Sequence, residues 1–63
     1  MAMSLAAARV NAKLTQSQVC EALNMSKTTL SNYESYKTSP DMDRAKQLAD
    51  LYGCDLSDIK WSE

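Results

Sequence analysis

The side chains best suited to chemistry lie close together, between residues 26 and 32 of the 63-residue chain. They include Ser26, Lys27, Thr28, Ser31 and Asn32. Hydroxyl, amide and ammonium groups form hydrogen bonds, which suits them to recognising another polar surface. The residues that catalysis and metal binding need are scarce, because the chain has no His, one Gly, and two Cys that lie far apart in sequence. We therefore expect a binding protein without enzymatic activity, bound metal or cofactor.

The composition is that of one small globular domain spanning residues 1–63. Hydrophobic residues make up 44% of the chain and charged residues 24%, ordinary values for a folded protein. No apolar run reaches the roughly 20 residues that a membrane helix needs, and the N-terminal segment lacks the pattern of a signal peptide. Cys20 and Cys54 both fall at apolar positions, which favours reduced core thiols over a disulfide or a metal pair. We expect a cytoplasmic protein that does not bind membranes.

The charge is unevenly distributed along the chain. The net charge is −1, but residues 1–40 carry a net charge of +2 and residues 41–63 a net charge of −3. This asymmetry fits a protein that turns one face towards an anion and keeps its acidic residues away from it. A small basic excess predicts modest affinity for a polyanion and a shallow dependence of binding on salt.

The elements that would position the polar side chains begin with two short predicted helices. Ser4 can cap a first, alanine-rich helix that runs to about Ala12. Thr15 and Gln18 can form a capping box, in which the Thr15 hydroxyl accepts from the Gln18 N–H and the Gln18 side chain accepts from the Thr15 N–H. This arrangement predicts a second helix over residues 16–23.

The third predicted helix carries the polar side chains themselves. Asn24 is expected to end the second helix in the left-handed conformation, which Asn tolerates better than most residues. Ser26 then caps a third helix that continues to residue 34, with Leu30 and Tyr33 on its buried side. The helical period leaves four polar side chains outside: Lys27, Thr28, Ser31 and Asn32.

Two further helices complete the predicted fold. Asp41 caps a fourth helix, whose apolar residues recur with the period of an α-helix and which Gly53 ends. Asp55 is placed to cap a last, short helix with Leu56 and Ile59 turned inward. We therefore expect an all-α fold, a compact bundle of about five short helices.

Several short segments follow one another in an order that is specific as a set, although each is weak alone. In sequence they are Leu14-Thr15-Gln16, Val19-Cys20, Leu23-Asn24, Ser26 to Leu30, Tyr33-Glu34, Lys37, Pro40, Leu48-Ala49 and Tyr52-Gly53. Together they resemble the lambda-repressor-like helix-turn-helix family, the group of the phage Cro and repressor proteins and the XRE-type regulators. The resemblance extends from Leu5 to Ile59. It implies a compact helical bundle that binds double-stranded DNA.

The resemblance places Ser26, Lys27, Thr28 and Asn32 at the positions with which the family reads base edges in the major groove. Lys27 can donate to O6 and N7 of guanine, and Asn32 can pair with N6 and N7 of adenine. Thr28 offers a hydroxyl and a methyl group to thymine. For a lone Ser or Thr a merely solvated helix face is the better explanation, but a set of such positions on one exposed helix favours readout.

A second group of residues is expected to bind DNA phosphates. Thr15, Gln16 and Ser17 open the second helix, where free N–H groups and the positive end of the helix dipole attract an anion. Simple capping also explains Thr15, and the two roles are compatible. The resemblance adds Ser35 and Lys37 from the loop after the third helix.

The resemblance also implies structural features around the third helix. Arg9 and Glu34 match the positions of a partly buried ion pair that links the first helix to the end of the third. Asn24 and Tyr36 stand where the family commonly has a glycine with positive φ. Asn adopts that conformation readily, whereas for Tyr it is costly unless the loop differs.

These observations lead to a specific prediction of function. We expect a sequence-specific regulator of transcription, a repressor, that binds two-fold operator DNA as a homodimer and takes no small-molecule ligand. A single domain of this size buries too little surface to be selective alone. The dimer face is expected in the loop after the third helix together with Leu56, Ile59 and Trp61. For Trp61, packing within the monomer is an equal explanation.

The alternative is a protein-interaction module, in which the same fold pairs with a partner protein without reading bases, as an antitoxin-like or co-regulator subunit would. Weak basicity and the alanine-rich, charge-poor first helix favour it. Substituting Lys27, Thr28 or Asn32 discriminates between the two, because it should impair DNA binding and leave partner binding intact.

Overall fold

The computed structural model describes residues 2–62, which contain four α-helices. The helices are α1 (Leu5–Asn11), α2 (Gln16–Leu23), α3 (Lys27–Glu34) and α4 (Met42–Tyr52). Two short strands, β1 (Met3–Ser4) and β2 (Ile59–Lys60), lie near opposite ends of the chain, and a 3-10 turn (Leu56–Asp58) precedes β2. The expected helical helix-turn-helix architecture is present, with a small β element added to it.

Each α-helix begins at the polar residue expected from the sequence. The caps are Ser4, Thr15, Ser26 and Asp41, whose side-chain oxygens accept from the N–H groups of Ala7, Gln18, Thr29 and Arg44 at 3.1, 3.1, 3.1 and 2.8 Å, respectively. The capping box of α2 is complete, because the Gln18 side chain also accepts from the Thr15 N–H at 2.8 Å. These bonds satisfy donors that the first turn of a helix leaves without an intrahelical partner.

A residue in the left-handed conformation lies one or two residues after the end of each α-helix, and only one of these four residues is glycine. They are Lys13, Asn24, Tyr36 and Gly53, with φ of 61°, 54°, 62° and 72°. In each case the N–H of the following residue donates to a carbonyl oxygen in the last helical turn. These bonds run from Leu14 to Arg9, Met25 to Cys20, Lys37 to Asn32 and Cys54 to Ala49, at 3.2, 3.0, 2.9 and 3.0 Å. This is the pattern of a Schellman helix end. Positive φ at Asn24 confirms the expected end of α2. Tyr36 also adopts positive φ, so the loop after α3 keeps a conformation that is costly for Tyr, whereas Lys13 carries no signal in the sequence.

The prediction of a fifth helix after Asp55 is wrong. Residues Leu56–Asp58 form a single 3-10 turn, and the chain then extends into β2, which runs parallel to β1. The paired residues are Met3 with Ile59 and Ser4 with Lys60. So short a segment does not nucleate an α-helix, and the strand pairing satisfies its backbone groups instead. We call the β1–β2 pair the terminal clasp.

The core lies between the helices and the terminal clasp. Its buried residues are Leu5, Ala8, Val19, Cys20, Leu30, Leu48, Ala49, Tyr52 and Ile59. Leu30, from α3, is 0% exposed and fixes that helix to the core. Cys20 is buried, Cys54 is half-buried, and both are free thiols. Within residues 2–62, no helix has the length and apolar character required to cross a membrane.

Candidate nucleic-acid interface

Helices α2 and α3 are joined by a tight turn that other parts of the protein support. Asn24 reverses the chain with its φ of 54°, and the N–H of Met25 donates to the carbonyl oxygen of Cys20 at 3.0 Å. From α4, Nη1 of Arg44 donates to the carbonyl oxygen of Leu23 at 2.8 Å. The end of α2 is therefore held both by its own backbone and by α4, which fixes the direction in which α3 begins.

The residues predicted to read bases lie at the start of α3 and one turn along it. Ser26, Lys27 and Thr28 are exposed, and Asn32 is half-buried. The side chains of Lys27, Thr28 and Asn32 make no hydrogen bond to another residue in the described range 2–62, so their donors and acceptors are available to a ligand. Ser26 differs, because its hydroxyl caps α3 and lies 2.9 Å from the hydroxyl of Thr29.

The opening turn of α2, predicted to bind phosphate, is partly engaged within the protein. The Thr15 hydroxyl accepts from the N–H of Gln18 at 3.1 Å. Gln16 is half-buried, and its Nε2 donates to Oε1 of Glu34 at 2.9 Å. The other hydrogen of Nε2 stays available for a phosphate, in an orientation that Glu34 fixes. Ser17 is exposed, and its side chain makes no hydrogen bond to the rest of the described chain.

The loop after α3 places the other phosphate candidates on either side of Tyr36. Ser35 and Lys37 are both exposed. The N–H of Lys37 donates to the carbonyl oxygen of Asn32 at 2.9 Å, and the Ser35 hydroxyl donates to the same oxygen at 3.3 Å. The ammonium of Lys37 has no ion-pair partner among residues 2–62. Lys37 is therefore freer to meet an anion than Ser35.

Arg9 and Glu34, predicted as a structural ion pair, meet between α1 and α3. Nε of Arg9 donates to Oε2 of Glu34 at 2.7 Å, and the two side chains are 16% and 9% exposed. Nη1 of Arg9 also donates to the carbonyl oxygen of Leu14 at 2.8 Å. Because Gln16 donates to the second oxygen of Glu34, a single carboxylate joins α1, α2 and α3. This network sets the orientation of α3 relative to α2.

Tyr52 of α4 lies close to this network without a hydrogen bond to it. Its side chain is buried, and its hydroxyl oxygen has no hydrogen-bond partner in the described part of the chain. Burial, followed by the negative charge of Glu34, raises the pKa of Tyr52 from 10.0 to about 12, although Arg9 opposes the shift. A hydroxyl buried without a partner lowers stability, because it has given up its bonds to water.

Two contacts that support this surface were not predicted from the sequence, that of Arg44 with Leu23 and those of the Tyr36 hydroxyl. The Tyr36 hydroxyl accepts from the N–H of Leu5 at 3.2 Å and donates to the carbonyl oxygen of Lys60 at 2.9 Å. The signal in the sequence is the residue type, since a tyrosine in a glycine position requires a compensating contact. Arg44 offers no comparable signal, because a charged residue on an amphipathic helix is usually solvated.

Comparison with known proteins identifies the family. Residues 5–59 match the family described as helix-turn-helix, a segment that runs from the first residue of α1 to the first residue of β2. No curated protein and no solved structure matched the chain in the corresponding comparisons. The family match covers all four α-helices described above and every residue predicted to contact DNA. The chain therefore belongs to the XRE-type, lambda-repressor-like family of DNA-binding helix-turn-helix regulators.

Proposed function

We propose that the protein is a sequence-specific transcriptional repressor that reads the major groove of double-stranded DNA with α3. The main support is the state of the α3 side chains. Lys27, Thr28 and Asn32 make no side-chain hydrogen bonds within residues 2–62, while Leu30 fixes the same helix to the core. Unused donors on a rigid helix suit direct bonding to base edges, because no internal bond has to break first.

Two flanking groups hold α3 in the groove through the DNA backbone. One is the opening turn of α2, with Thr15, Gln16 and Ser17, and the other is Lys37 after α3. Contacts of this kind fix register and orientation without reading sequence. Ser35 contributes less, because its hydroxyl already bonds to the protein backbone. Occupying an operator is enough to exclude another protein from it, so repression requires no additional surface.

The proposed repressor acts as a homodimer on two half-sites about one helical turn apart. The candidate dimer face is a groove of about 390 Å³ lined by Pro40, Met42, Ala45, Leu56, Ser57 and Trp61. Met42 is 63% exposed, and Nε1 of Trp61 donates to the carbonyl oxygen of Leu56 at 2.8 Å, which fixes the indole as a wall of the groove. Ile59, expected on this face, is instead 3% exposed and part of the core.

Lys27→Ala tests base reading by α3. Selection from random duplex DNA should enrich a two-fold motif with the wild type, and Lys27→Ala should weaken binding to that motif by about 5- to 150-fold and relax one position of it. Lys46→Ala is the matched control, since it removes the same charge from an exposed position on α4. If the wild type binds DNA without enriching a motif, and both substitutions weaken that binding equally, α3 does not read bases. This result favours the protein-interaction alternative.

Met42→Glu tests the homodimer. Sedimentation velocity of the wild type on selected DNA should show two protein chains per duplex, and Met42→Glu should shift the protein to monomer by placing a charge on the proposed apolar face. Val10→Glu is the control, because Val10 is 60% exposed on α1 and lies outside the groove. A wild type that stays monomeric both free and on DNA contradicts the dimer.

A further inference from the structure

The backbone conformation of Tyr36 is unfavourable for a residue that carries a side chain. Its φ is 62°, in the left-handed region where a helix end usually has glycine. The N–H of Tyr36 donates to the carbonyl oxygen of Tyr33 at 3.1 Å, and the N–H of Lys37 donates to that of Asn32 at 2.9 Å. Glycine would make the same two backbone bonds without strain. The tyrosine side chain therefore needs an explanation beyond the helix end itself.

The Tyr36 hydroxyl connects the loop after α3 to both ends of the chain. It accepts from the N–H of Leu5 at 3.2 Å and donates to the carbonyl oxygen of Lys60 at 2.9 Å. Leu5 is the first residue of α1, and Lys60 pairs with Ser4 in the terminal clasp. The first N–H groups of a helix have no intrahelical acceptor, so the hydroxyl satisfies one of them. One oxygen atom thus links the loop, α1 and β2.

Lys37 follows Tyr36 directly and is the proposed phosphate contact in this loop. Its own N–H donates to the carbonyl oxygen of Asn32, and the residue directly before it, Tyr36, is tied to the terminal clasp through its hydroxyl. A charged group whose backbone is already fixed loses less conformational entropy when it binds. We infer that the Tyr36 hydroxyl is a positioning group for the phosphate contact of Lys37 and couples DNA binding to the terminal clasp. This inference rests on the proposed function.

The coupling has a reciprocal consequence. If the bonds of the Tyr36 hydroxyl hold Lys37 ready for a phosphate, then a bound phosphate stabilises those bonds in return, since coupling between two sites acts equally in both directions. The N–H of Leu5 reports on this directly, because the Tyr36 hydroxyl is its acceptor.

Tyr36→Phe removes the hydroxyl and keeps the aromatic ring. Affinity for the selected duplex should fall about three- to tenfold, the size expected for a lost hydrogen bond. The slope of log affinity against log salt should fall by up to about 0.9, the contribution of one phosphate contact. Lys37→Ala should produce a similar change in the wild type and almost none in Tyr36→Phe. Tyr33→Phe is the control, because the Tyr33 hydroxyl makes no hydrogen bond within residues 2–62, and it should alter neither quantity.

Three results would overturn the inference. The first is additivity of Tyr36→Phe and Lys37→Ala, and the second is an unchanged salt slope in Tyr36→Phe. Either result would show that the Tyr36 hydroxyl has a structural role only, and neither would contradict the proposed function. The third comes from the wild type alone, where DNA binding should slow hydrogen exchange at the Leu5 amide and unchanged exchange contradicts the coupling. A wild type that fails to bind any duplex overturns the proposed function as well, so the two failures are distinguishable.

Discussion

The two ends of α3 differ in how their side chains are engaged. At the start, Lys27 and Thr28 are exposed and make no side-chain hydrogen bonds within residues 2–62. At the other end, Glu34 accepts from Arg9 and Gln16 at 2.7 and 2.9 Å, and Tyr36 just beyond the helix bonds to α1 and β2. The start is open to another molecule, whereas the end is fixed to the rest of the protein. A helix that reads DNA needs free donors as well as a fixed end, because the donors are selective only when the helix keeps its orientation.

This difference predicts that substitutions at the two ends separate stability from binding. A change at the fixed end should lower the free energy of unfolding, and a change at the open start should lower DNA affinity with the fold intact. Four experiments, ordered by the size of the expected effect, test this separation and the residues that support α3.

Glu34→Ala should have the largest effect, on stability. It leaves the guanidinium of Arg9, which is 16% exposed, without its carboxylate partner. We expect the free energy of unfolding to fall by about 3 kcal/mol, measured by urea denaturation. Glu21→Ala, at an exposed position on α2, should change it by less than about 0.5 kcal/mol. If the two variants are equally stable, the bonds of Glu34 do not stabilise this end of α3, and the difference between the two ends is contradicted.

Thr28→Ala should affect binding and not folding. Loss of a base contact typically weakens binding by about 1–3 kcal/mol, measured as the change in Kd for the selected operator. Stability should change by less than about 0.5 kcal/mol, because the Thr28 side chain makes no bond inside the described chain. Ser62→Ala removes an exposed hydroxyl outside α3 and outside the proposed dimer groove, and serves as the control. A lower Tm with unchanged Kd would show that Thr28 contributes to stability and not to DNA binding.

Lys13→Gly should raise stability by about 1 kcal/mol, because it relieves a left-handed conformation, φ 61°, at a residue with no compensating side-chain hydrogen bond in the described chain. Tyr36→Gly relieves the same strain but also removes two hydrogen bonds of the hydroxyl. Its gain should therefore be smaller or negative. Thermal unfolding of both variants compares them, and equal gains would show that the Tyr36 hydroxyl bonds add nothing to stability.

Tyr52→Phe should have the smallest effect at neutral pH, since it removes a hydroxyl without a partner in the described chain. The effect should appear in alkali. Because the pKa of Tyr52 is raised from 10.0 to about 12, the folded state holds this proton more tightly than the unfolded chain. The resulting stability is complete below pH 10 and is lost as the pH rises towards 12. Denaturation of both proteins across this interval should show a steeper decline for the wild type, and parallel curves would contradict the shift.

The starts of the helices could be predicted because each depends on a few neighbouring residues. Thr15 and Gln18 satisfy each other across one turn, and Asp41 accepts from the N–H of Arg44 three residues on. The exposure of Lys27 and Thr28 followed in the same way from the helical period. Local chemistry therefore located most of the helix-turn-helix unit.

The terminal clasp and the bonds of the fixed end could not be predicted in this way. β1 and β2 pair residues from opposite ends of the chain, and their segments are too short to show the alternation that marks a strand. Arg44 reaches the carbonyl oxygen of Leu23, and Gln16 reaches Glu34, across distances in sequence that no local pattern encodes. The sequence thus indicated the exposure of Lys27 and Thr28, but not the partial burial of Asn32 or which of the phosphate candidates are already bonded.

The terminal clasp also has a consequence for the order of folding. The helices close loops of a few residues, whereas the clasp joins Met3 to Ile59 and can form only after nearly the whole chain has come together. We expect the strand pair, and with it the Tyr36 hydroxyl bonds, to form after the folding transition state and to break first when the protein unfolds. The chain would then complete its α2–α3 unit early and order the loop that follows it last.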